Sequence, residues 1–132
     1  MTITMFRAKL HRVRVTQAEL YYEGSISVDL ELLEASGILP YEKVAVVNVN
    51  NGSRLETYTI PAPAGSRTIC MNGPAARLAA KGDEVIVIAY AELSLEEARH
   101  HSARVVLVDE GNNPVDIRDL SVDEALTQAT HA

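Results

Sequence analysis

The residues with the clearest chemical potential form the stretch Tyr22-Glu23-Gly24-Ser25. A serine hydroxyl attacks the preceding carbonyl only if a turn brings it into reach and a base and an oxyanion donor assist. Gly24 suits that turn, because a residue without Cβ tolerates strained φ and leaves its carbonyl open. An ester, its β-elimination and hydrolysis of the dehydroalanine would leave Ser25 as a pyruvoyl group. Gly-Ser is also a common turn dipeptide, so an ordinary hairpin turn stays open on these residues alone.

Length and charge indicate the number of domains and the partners that the protein can bind. The 132 residues predict one domain with a core that needs neither metal nor disulfide. The formal net charge of -6 and the lack of a basic run argue against a nucleic-acid partner. The same charge means that an acidic substrate must be held by locally placed cations.

The N-terminal residues, the single cysteine and the adjacent histidines bear on the location of the protein and on disulfide and metal sites. Met1 to Leu10 show no signal-peptide pattern, and no apolar run approaches membrane-spanning length, so we expect a cytoplasmic protein without a membrane partner. Cys70 is the one cysteine, which excludes an intramolecular disulfide and favours a small buried hydrophobe. His100 and His101 are adjacent and point apart, so no metal site is expected.

Short strands must position the Gly-Ser stretch. Apolar patterning predicts them at residues 6–16, 44–49, 54–60, 68–71, 84–91 and 104–108. Asn51-Gly52 predicts a hairpin between the second and third of these strands. The proline-containing segment 61–66 predicts a loop. The continuous apolar run at 84–91 predicts a strand buried on both faces at the centre of the core.

The sequence predicts two short helices in the first 82 residues. Ser27 or Asp29 can cap the start of one helix that Gly37 ends. Pro74 and the alanines after it predict a second helix, which closes at Gly82.

The C-terminal half carries two capping boxes. They open at Ser94 and at Ser121, and the second predicts a terminal helix to about Gln128 within a helical or mobile tail of about 115–132. Seven or so short strands with only short helices predict a mainly β fold, a small barrel.

Five short blocks stand in order between Met5 and about Asn112. They are Lys9-Leu10-His11-Arg12, Tyr22-Glu23-Gly24-Ser25, Asn51-Gly52-Ser53-Arg54 with Thr57-Tyr58, Asn72-Gly73 with Ala75-Ala76, and Gly82-Asp83 before the apolar strand. In this order and spacing they resemble the pyruvoyl-dependent aspartate 1-decarboxylase family, which makes β-alanine for pantothenate and coenzyme A biosynthesis. One block would be weak evidence, whereas the set is specific.

The resemblance implies a double-psi β-barrel and a homotetramer with active sites between subunits. It implies self-cleavage of the single domain of residues 1–132 into a β chain (1–24) and an α chain (25–132). The implied enzyme is a lyase that converts L-aspartate to β-alanine and carbon dioxide, with a pyruvoyl group derived from Ser25 and no metal. A maturation helper protein stays open as a partner.

The resemblance also implies roles by position. Ser25 would form the Schiff base with the substrate amine, Tyr58 would reprotonate the carbanion, and Arg54 would grip a substrate carboxylate. Gly24 and Thr57 would take part in self-processing, where Thr57 would help to hold the oxyanion, and Asn72 would form a hydrogen bond near the cleavage product. Lys9 would be a second cation at the site, and Tyr22 would form a wall of the pocket. The backbone of Gly73, Pro74 and Ala75 would contact the substrate. Tyr58 as an ordinary sheet tyrosine and Arg54 as a surface charge remain alternatives.

Two departures from the family pattern bear on the rate of self-processing and on specificity. Tyr21 stands where the family usually has histidine, and Pro74 replaces the first of three alanines. Proline removes a backbone N–H from the expected binding turn, so affinity should fall or the preferred acid should change. A pyruvoyl decarboxylase of a related acidic amino acid is therefore one alternative, and an uncleaved, non-catalytic barrel that acts as a binding module is another.

Overall fold

The computed structural model describes residues 1–131, in which nine strands form one mixed sheet. The strands are β1 (Thr2–Arg14), β2 (Gln17–Glu19), β3 (Ser25–Asp29), β4 (Lys43–Asn48), β5 (Arg54–Ala62), β6 (Ile69–Asn72), β7 (Glu84–Ser94), β8 (Ser102–Val108) and β9 (Pro114–Ser121). The helices are α1 (Leu30–Ser36), α2 (Leu95–Arg99) and α3 (Val122–His131), and a 3₁₀ turn spans Gly73–Arg77. This mainly β architecture is consistent with a double-psi barrel. Ala132, the end of the predicted tail, lies outside the described residues.

Parallel pairings interleave distant parts of the chain. The strand order is β2-β6-β3-β5-β4-β7-β1-β8-β9. Three pairs run parallel, namely β1 with β8, β2 with β6 and β3 with β5, and the others run antiparallel. Because β3 lies between β6 and β5, the strand that begins at Ser25 is flanked by segments from much later in the sequence.

The inner face of the sheet forms the core. Leu10 pairs with both Val87 and Val106, and Val46 also pairs with Val87, so these side chains form a row across four strands. All four are at most 1% exposed. Burying each such side chain contributes roughly 1.5–3 kcal/mol, which makes this row a major source of stability.

The opposite side of β5, β4, β7, β1 and β8, called the outer face below, is less buried. Lys9 and Ala45 both pair with Ile88, and Val47 pairs with Ile86 as well as with Arg54. Ile86 and Ile88 are only half-buried. The prediction that residues 84–91 are buried on both faces is therefore wrong for the single chain, because only the inner face of β7 packs into the core.

Helix α1 has the caps that the sequence predicts. The Asp29 carboxylate accepts a hydrogen bond from the Glu31 N–H at 2.8 Å, and Gly37 ends the helix with φ of 80°. Asp29 is fully buried and also accepts the backbone N–H groups of Gly65 and Arg67. Burial opposes ionisation of Asp29, but these N–H groups and the Arg67 charge outweigh it and lower the carboxyl pKa. The ionised side chain thus joins α1 to the loop before β6.

Tertiary pairing overrides the sequence pattern around β3. Ser27, one of the two candidate caps of α1, lies within β3 instead, because β3 is paired on both sides, with β5 and with β6. The same pairing sets Val28 opposite Pro61 and continues β5 to Ala62, so the predicted loop at 61–66 begins later.

The predicted helix from Pro74 to Gly82 is only the 3₁₀ turn. The Leu78 carbonyl accepts side-chain hydrogen bonds from Asn48, Asn51 and Ser53 instead of a helical N–H. The β4–β5 hairpin, which is confirmed, therefore holds the segment after this turn in place.

The C-terminal region adds a strand that the sequence analysis did not predict. Residues 115–121, placed there in a helical or mobile tail, belong to β9, which pairs antiparallel with β8. The signal is weak because Val115 and Ile117 are 62% and 48% exposed, so no buried stripe marks the strand. Helix α3 begins after Ser121, whose hydroxyl accepts from the Glu124 N–H at 3.2 Å, and ends at His131 rather than about Gln128. Among residues 1–131, no helix is long and apolar enough to cross a membrane.

Candidate active site

The predicted nucleophile lies at the first position of β3. Ser25 is fully buried and pairs with Asn72, the last residue of β6. The Asn72 Nδ2 donates to Ser25 Oγ at 2.9 Å, and the Ser25 hydroxyl donates to the Glu23 carbonyl at 3.3 Å. Gly24, directly before it, is exposed. The Gly24–Ser25 bond therefore joins an exposed glycine to a buried serine whose hydroxyl is hydrogen-bonded.

Hydrogen bonds hold both the nitrogen and the oxygen of the Asn72 side-chain amide. Besides Ser25, its Nδ2 donates to Ser27 Oγ at 2.9 Å, and its Oδ1 accepts from the Cys70 thiol at 3.1 Å. Burial, and secondarily the charge of Glu19, raise the pKa of that thiol, so it stays protonated and can donate. Cys70 is buried, as the sequence predicts, and it also contacts the site.

Gly73 lets the backbone approach the Gly-Ser stretch. Its φ is 63°, and a Cβ on it would lie 2.7 Å from the Tyr22 carbonyl oxygen and 2.9 Å from the Gly24 nitrogen. Real Cβ atoms do not come this close to backbone, so the position requires glycine on two grounds.

A cavity of about 210 Å³ opens beside Gly24. Thr57, Pro74 and Ala75, all predicted site residues, line it. Sequence reasoning missed the other lining residues, which are Leu55, Glu56 and Leu78. Leu55 shares a face of β5 with Thr57, and the alternation of that strand was the signal that could have found it. No such signal marks Glu56 or Leu78.

Tyr58 lies in an adjoining cavity rather than in the first one. This second cavity, about 300 Å³, is lined by Lys43, Glu56, Thr57 and Tyr58, so the two share Glu56 and Thr57. The Lys43 ammonium lies 3.0 Å from the Glu56 carboxylate. The second cavity is therefore bordered by a phenol, a hydroxyl and an ion pair.

Arg54 and Lys9 are on the outer face, away from Ser25. Arg54 donates to the Tyr90 hydroxyl at 2.9 Å. Lys9 lies on β1, which pairs with β7 and β8, and its Nζ is 5.3 Å from the centre of the Phe6 ring. The single chain therefore does not bring these two predicted cations together with the nucleophile.

Lys9 lines a separate cavity of about 190 Å³ together with His11, Arg118 and apolar residues of β8 and β9. The Nδ1 atom of His11 is buried without a hydrogen-bond partner among the described residues. Burial, followed by the charges of Lys9 and Arg12, lowers the pKa of this imidazole, which favours its neutral form.

The two tyrosines that follow β2, Tyr21 and Tyr22, differ in their exposure. Tyr21 is fully exposed, so its replacement of the usual histidine places no bulk against Ser25. Tyr22 is 58% exposed, and its backbone carbonyl lies against Gly73.

Comparison with known proteins places these residues in a family. A family model described as aspartate decarboxylase matches residues 1–115, which include every candidate site residue. The chain belongs to the aspartate decarboxylase family. It is 71% identical over 122 residues to an aspartate 1-decarboxylase of Salinibacter ruber, covering 92% of this chain and 84% of the relative. It is also 58% identical to one of Maricaulis maris, covering 87% and 95%, and 60% identical to one of Desulfitobacterium hafniense, covering 86% and 90%.

Family membership confirms the resemblance and the enzyme class drawn from the sequence. The family match ends inside β9, so most of β9 and all of α3 lie beyond it. The matched residues include Ser25, Asn72 and Gly73. They also include every residue that lines the cavity beside Gly24.

Proposed function

We propose that this protein cleaves itself before Ser25 and then converts L-aspartate to β-alanine and carbon dioxide, the β-alanine serving pantothenate biosynthesis. The observation that carries the proposal is the 2.9 Å hydrogen bond from Asn72 to the buried Ser25 oxygen, beside an exposed glycine. Family membership supports the reaction, because relatives that match most of the chain are named aspartate 1-decarboxylases.

Self-cleavage uses the Ser25 oxygen as nucleophile and the Gly24 carbonyl as electrophile. Attack by Oγ forms a carbon–oxygen bond, the carbon–nitrogen bond breaks, and the nitrogen takes a proton, which leaves an ester. Loss of the Ser25 α-proton then breaks the bond between Cβ and Oγ, and Gly24 departs as a carboxylate. Water adds to the tautomerised dehydroalanine and ammonia leaves. One water is consumed and one ammonia is released overall.

The residues around Ser25 fit the resulting pyruvoyl group. Asn72 provides a buried donor, Gly73 leaves room for the backbone, and the cavity of about 210 Å³ beside Gly24 offers space for a small amino acid. The ketone supplies the electron sink that the substrate α-carbon needs when carbon dioxide leaves. Thr57, which lines that cavity, would hold the oxyanion during cleavage.

Substrate recognition is assigned to the matched side chains. The planar Arg54 guanidinium suits a bidentate grip on the second carboxylate of aspartate, and Lys9 adds a second positive charge. Tyr58 is the proton donor to the α-carbon after decarboxylation. Gly73, Pro74 and Ala75 provide backbone next to the substrate, and Tyr22 provides a wall.

The roles of Arg54 and Lys9 need a second copy of the chain, in keeping with a homotetramer whose active sites lie between subunits. Arg54, Tyr58 and Lys9 share the outer face, because Val47 pairs with Arg54, Lys43 with Tyr58 and Ile88 with Lys9. Half-buried Ile86 and Ile88 lie between them on β7. Such a face can pack against another protomer and present its cations to the partner's Ser25.

The activity test compares the purified protein with its Ser25→Ala variant. The protein should form β-alanine and carbon dioxide from L-aspartate, and the variant should stay as one intact chain and release none. Carbon dioxide release by the variant would refute the pyruvoyl role. Faster turnover of L-glutamate than of L-aspartate would favour the decarboxylase of a related acid, and a wild-type chain that is neither cleaved nor active would favour the binding module.

Mixing tests the shared site. Ser25→Ala and Arg54→Ala proteins, each inactive alone, are denatured together and refolded. If subunits share sites, the mixture regains activity where an intact Arg54 meets a processed Ser25. A mixture as inactive as its components would place both residues within one subunit.

A further inference from the structure

We propose that Cys70 and Ser27 are positioning residues for self-cleavage, which together turn the Asn72 amide so that its nitrogen, rather than its oxygen, faces Ser25. The inference rests on the proposed function, because it concerns the cleavage chemistry of that same serine. It adds two residues that have no part in the assigned roles above.

The four side chains form a square on the β3–β6 ladder. Ser25 pairs with Asn72, and Ser27 pairs with Cys70, in antiparallel register. Residues two apart on a strand share a face, so all four side chains project to the same side. Cys70 is 5% exposed and Asn72 is 2% exposed, which leaves little access for water to the amide.

Hydrogen bonds fix both ends of the Asn72 amide. The two hydrogens on Nδ2 are used by Ser25 Oγ and Ser27 Oγ, each at 2.9 Å. The Cys70 thiol is the recorded donor to Oδ1, at 3.1 Å. No hydrogen of the amide is left over for other partners.

The thiol adds to a preference for one amide orientation. The Ser25 hydroxyl donates its hydrogen to the Glu23 carbonyl and so accepts from Asn72, whereas Ser27 could bond to either end of the amide. A thiol donates weakly and accepts weakly, and the reversed amide would aim an N–H at sulfur while losing the S–H bond to Oδ1. Cys70 therefore favours the observed orientation, and Ser27 holds the second hydrogen of the nitrogen.

Orientation matters because of what happens to the serine oxygen. When the bond between Cβ and Oγ breaks, Oγ becomes an oxygen of the departing Gly24 carboxylate and gains negative charge. An N–H donor at 2.9 Å stabilises that charge, whereas a carbonyl oxygen in its place would repel it. Loss of one preorganised donor of this kind costs roughly 100-fold or more in rate, so partial loss of orientation should cost about tenfold.

The test follows cleavage of freshly purified protein by denaturing mass spectrometry. Cys70→Val keeps a similar volume but has no donor, and it should slow cleavage about tenfold. Cys70→Ser restores a donor and should cleave at close to the wild-type rate. Val106→Ala, a buried change on the inner face, is the control for lost stability and should leave the cleavage rate within about twofold.

Double mutants test whether Cys70 and Ser27 affect self-cleavage through Asn72. If Cys70 and Ser27 act through Asn72, then Cys70→Val and Ser27→Ala should cause no further slowing in an Asn72→Ala protein. Unchanged cleavage in Cys70→Val, equal slowing in Cys70→Ser, or full additivity with Asn72→Ala would each overturn the inference. A wild-type protein that never cleaves would instead refute the proposed function, so the two failures are distinct.

Discussion

The Tyr22 carbonyl lies directly against Gly73: a Cβ on that glycine would come within 2.7 Å of the oxygen. The approach presses the end of the Gly-Ser stretch onto the start of the 3₁₀ turn. Because the obstructing atoms are backbone, no side-chain rearrangement can make room for a larger residue. The contact holds the cleavage stretch over the site.

Gly73→Ala should therefore slow self-cleavage strongly, by about 100-fold, because misplaced reacting atoms lose the geometry on which the attack depends. Gly52→Ala is a matched control, since Gly52 also has positive φ, 75°, but no atom within 4 Å of its Cβ position. That change should cost about 1 kcal/mol in stability and leave the cleavage rate unchanged. Similar cleavage rates in the two variants, read by intact mass over time, would show that the close approach is irrelevant.

Pro74→Ala should improve aspartate binding. The change restores a backbone N–H at the edge of the cavity beside Gly24, and a hydrogen bond to a carboxylate contributes about 1.5 kcal/mol or more. We expect KM for aspartate to fall by about tenfold with kcat little changed. Steady-state kinetics on fully processed protein give the answer, and an unchanged or higher KM would remove Pro74 from the account of specificity.

Arg54→Lys should raise KM for aspartate by about tenfold or more, because an ammonium cannot reproduce the two parallel hydrogen bonds of a guanidinium. Tyr90→Phe is the companion variant, since Tyr90 is the observed partner of Arg54 at 2.9 Å. Losing only that hydroxyl should have a much smaller effect on KM. Equal KM values for Arg54→Lys and the wild type would mean that Arg54 is a surface charge.

Asp29 should make the free energy of unfolding decrease at acidic pH. Its folded pKa is lowered, so the carboxylate stabilises the fold above its ordinary pKa of about 4, and this contribution is lost as the pH falls through the folded pKa. Urea unfolding at a series of pH values, in a Ser25→Ala background and at fixed protein concentration, measures the effect on one covalent species.

Asp29→Asn should be less stable at pH 7 and lose less stability than its parent below about pH 4. Asp116→Asn is the control, because the side-chain partner of Asp116 among residues 1–131 is Arg118, in an exposed pair. If Asp29→Asn and its parent lose stability in parallel on acidification, the buried carboxylate is not the source of the dependence.

Local signals predicted the parts of this molecule that local forces determine. The caps of α1 at Asp29 and Gly37, the capping box of α2 and the Asn-Gly hairpin are all present. Each depends on hydrogen bonds or φ values within a few residues. The Gly-Ser stretch was recognisable for the same reason, since its chemistry concerns adjacent residues.

Features set by pairing between distant strands escaped prediction. Nothing near Ser27 in the sequence signals that β5 and β6 will flank it, and nothing near Cys70 signals its hydrogen bond to Asn72. The place of Asn72 near the cleavage point came from the resemblance and not from a local pattern. The 3₁₀ turn is short because side chains of the β4–β5 hairpin take the Leu78 carbonyl. The outer-face location of Lys9 likewise follows from sheet order and not from its block.

The intact mass of the purified protein, taken under denaturing conditions when fresh and after prolonged incubation, tests the central claim most directly. We predict conversion of the 132-residue chain into fragments 1–24 and 25–132, the larger lighter by one ammonia than a serine-ended fragment and without a free terminal amine. Conversion of purified protein without additions would show that no helper is needed. A single unmodified chain at both times, even after incubation with cell extract, would contradict the account.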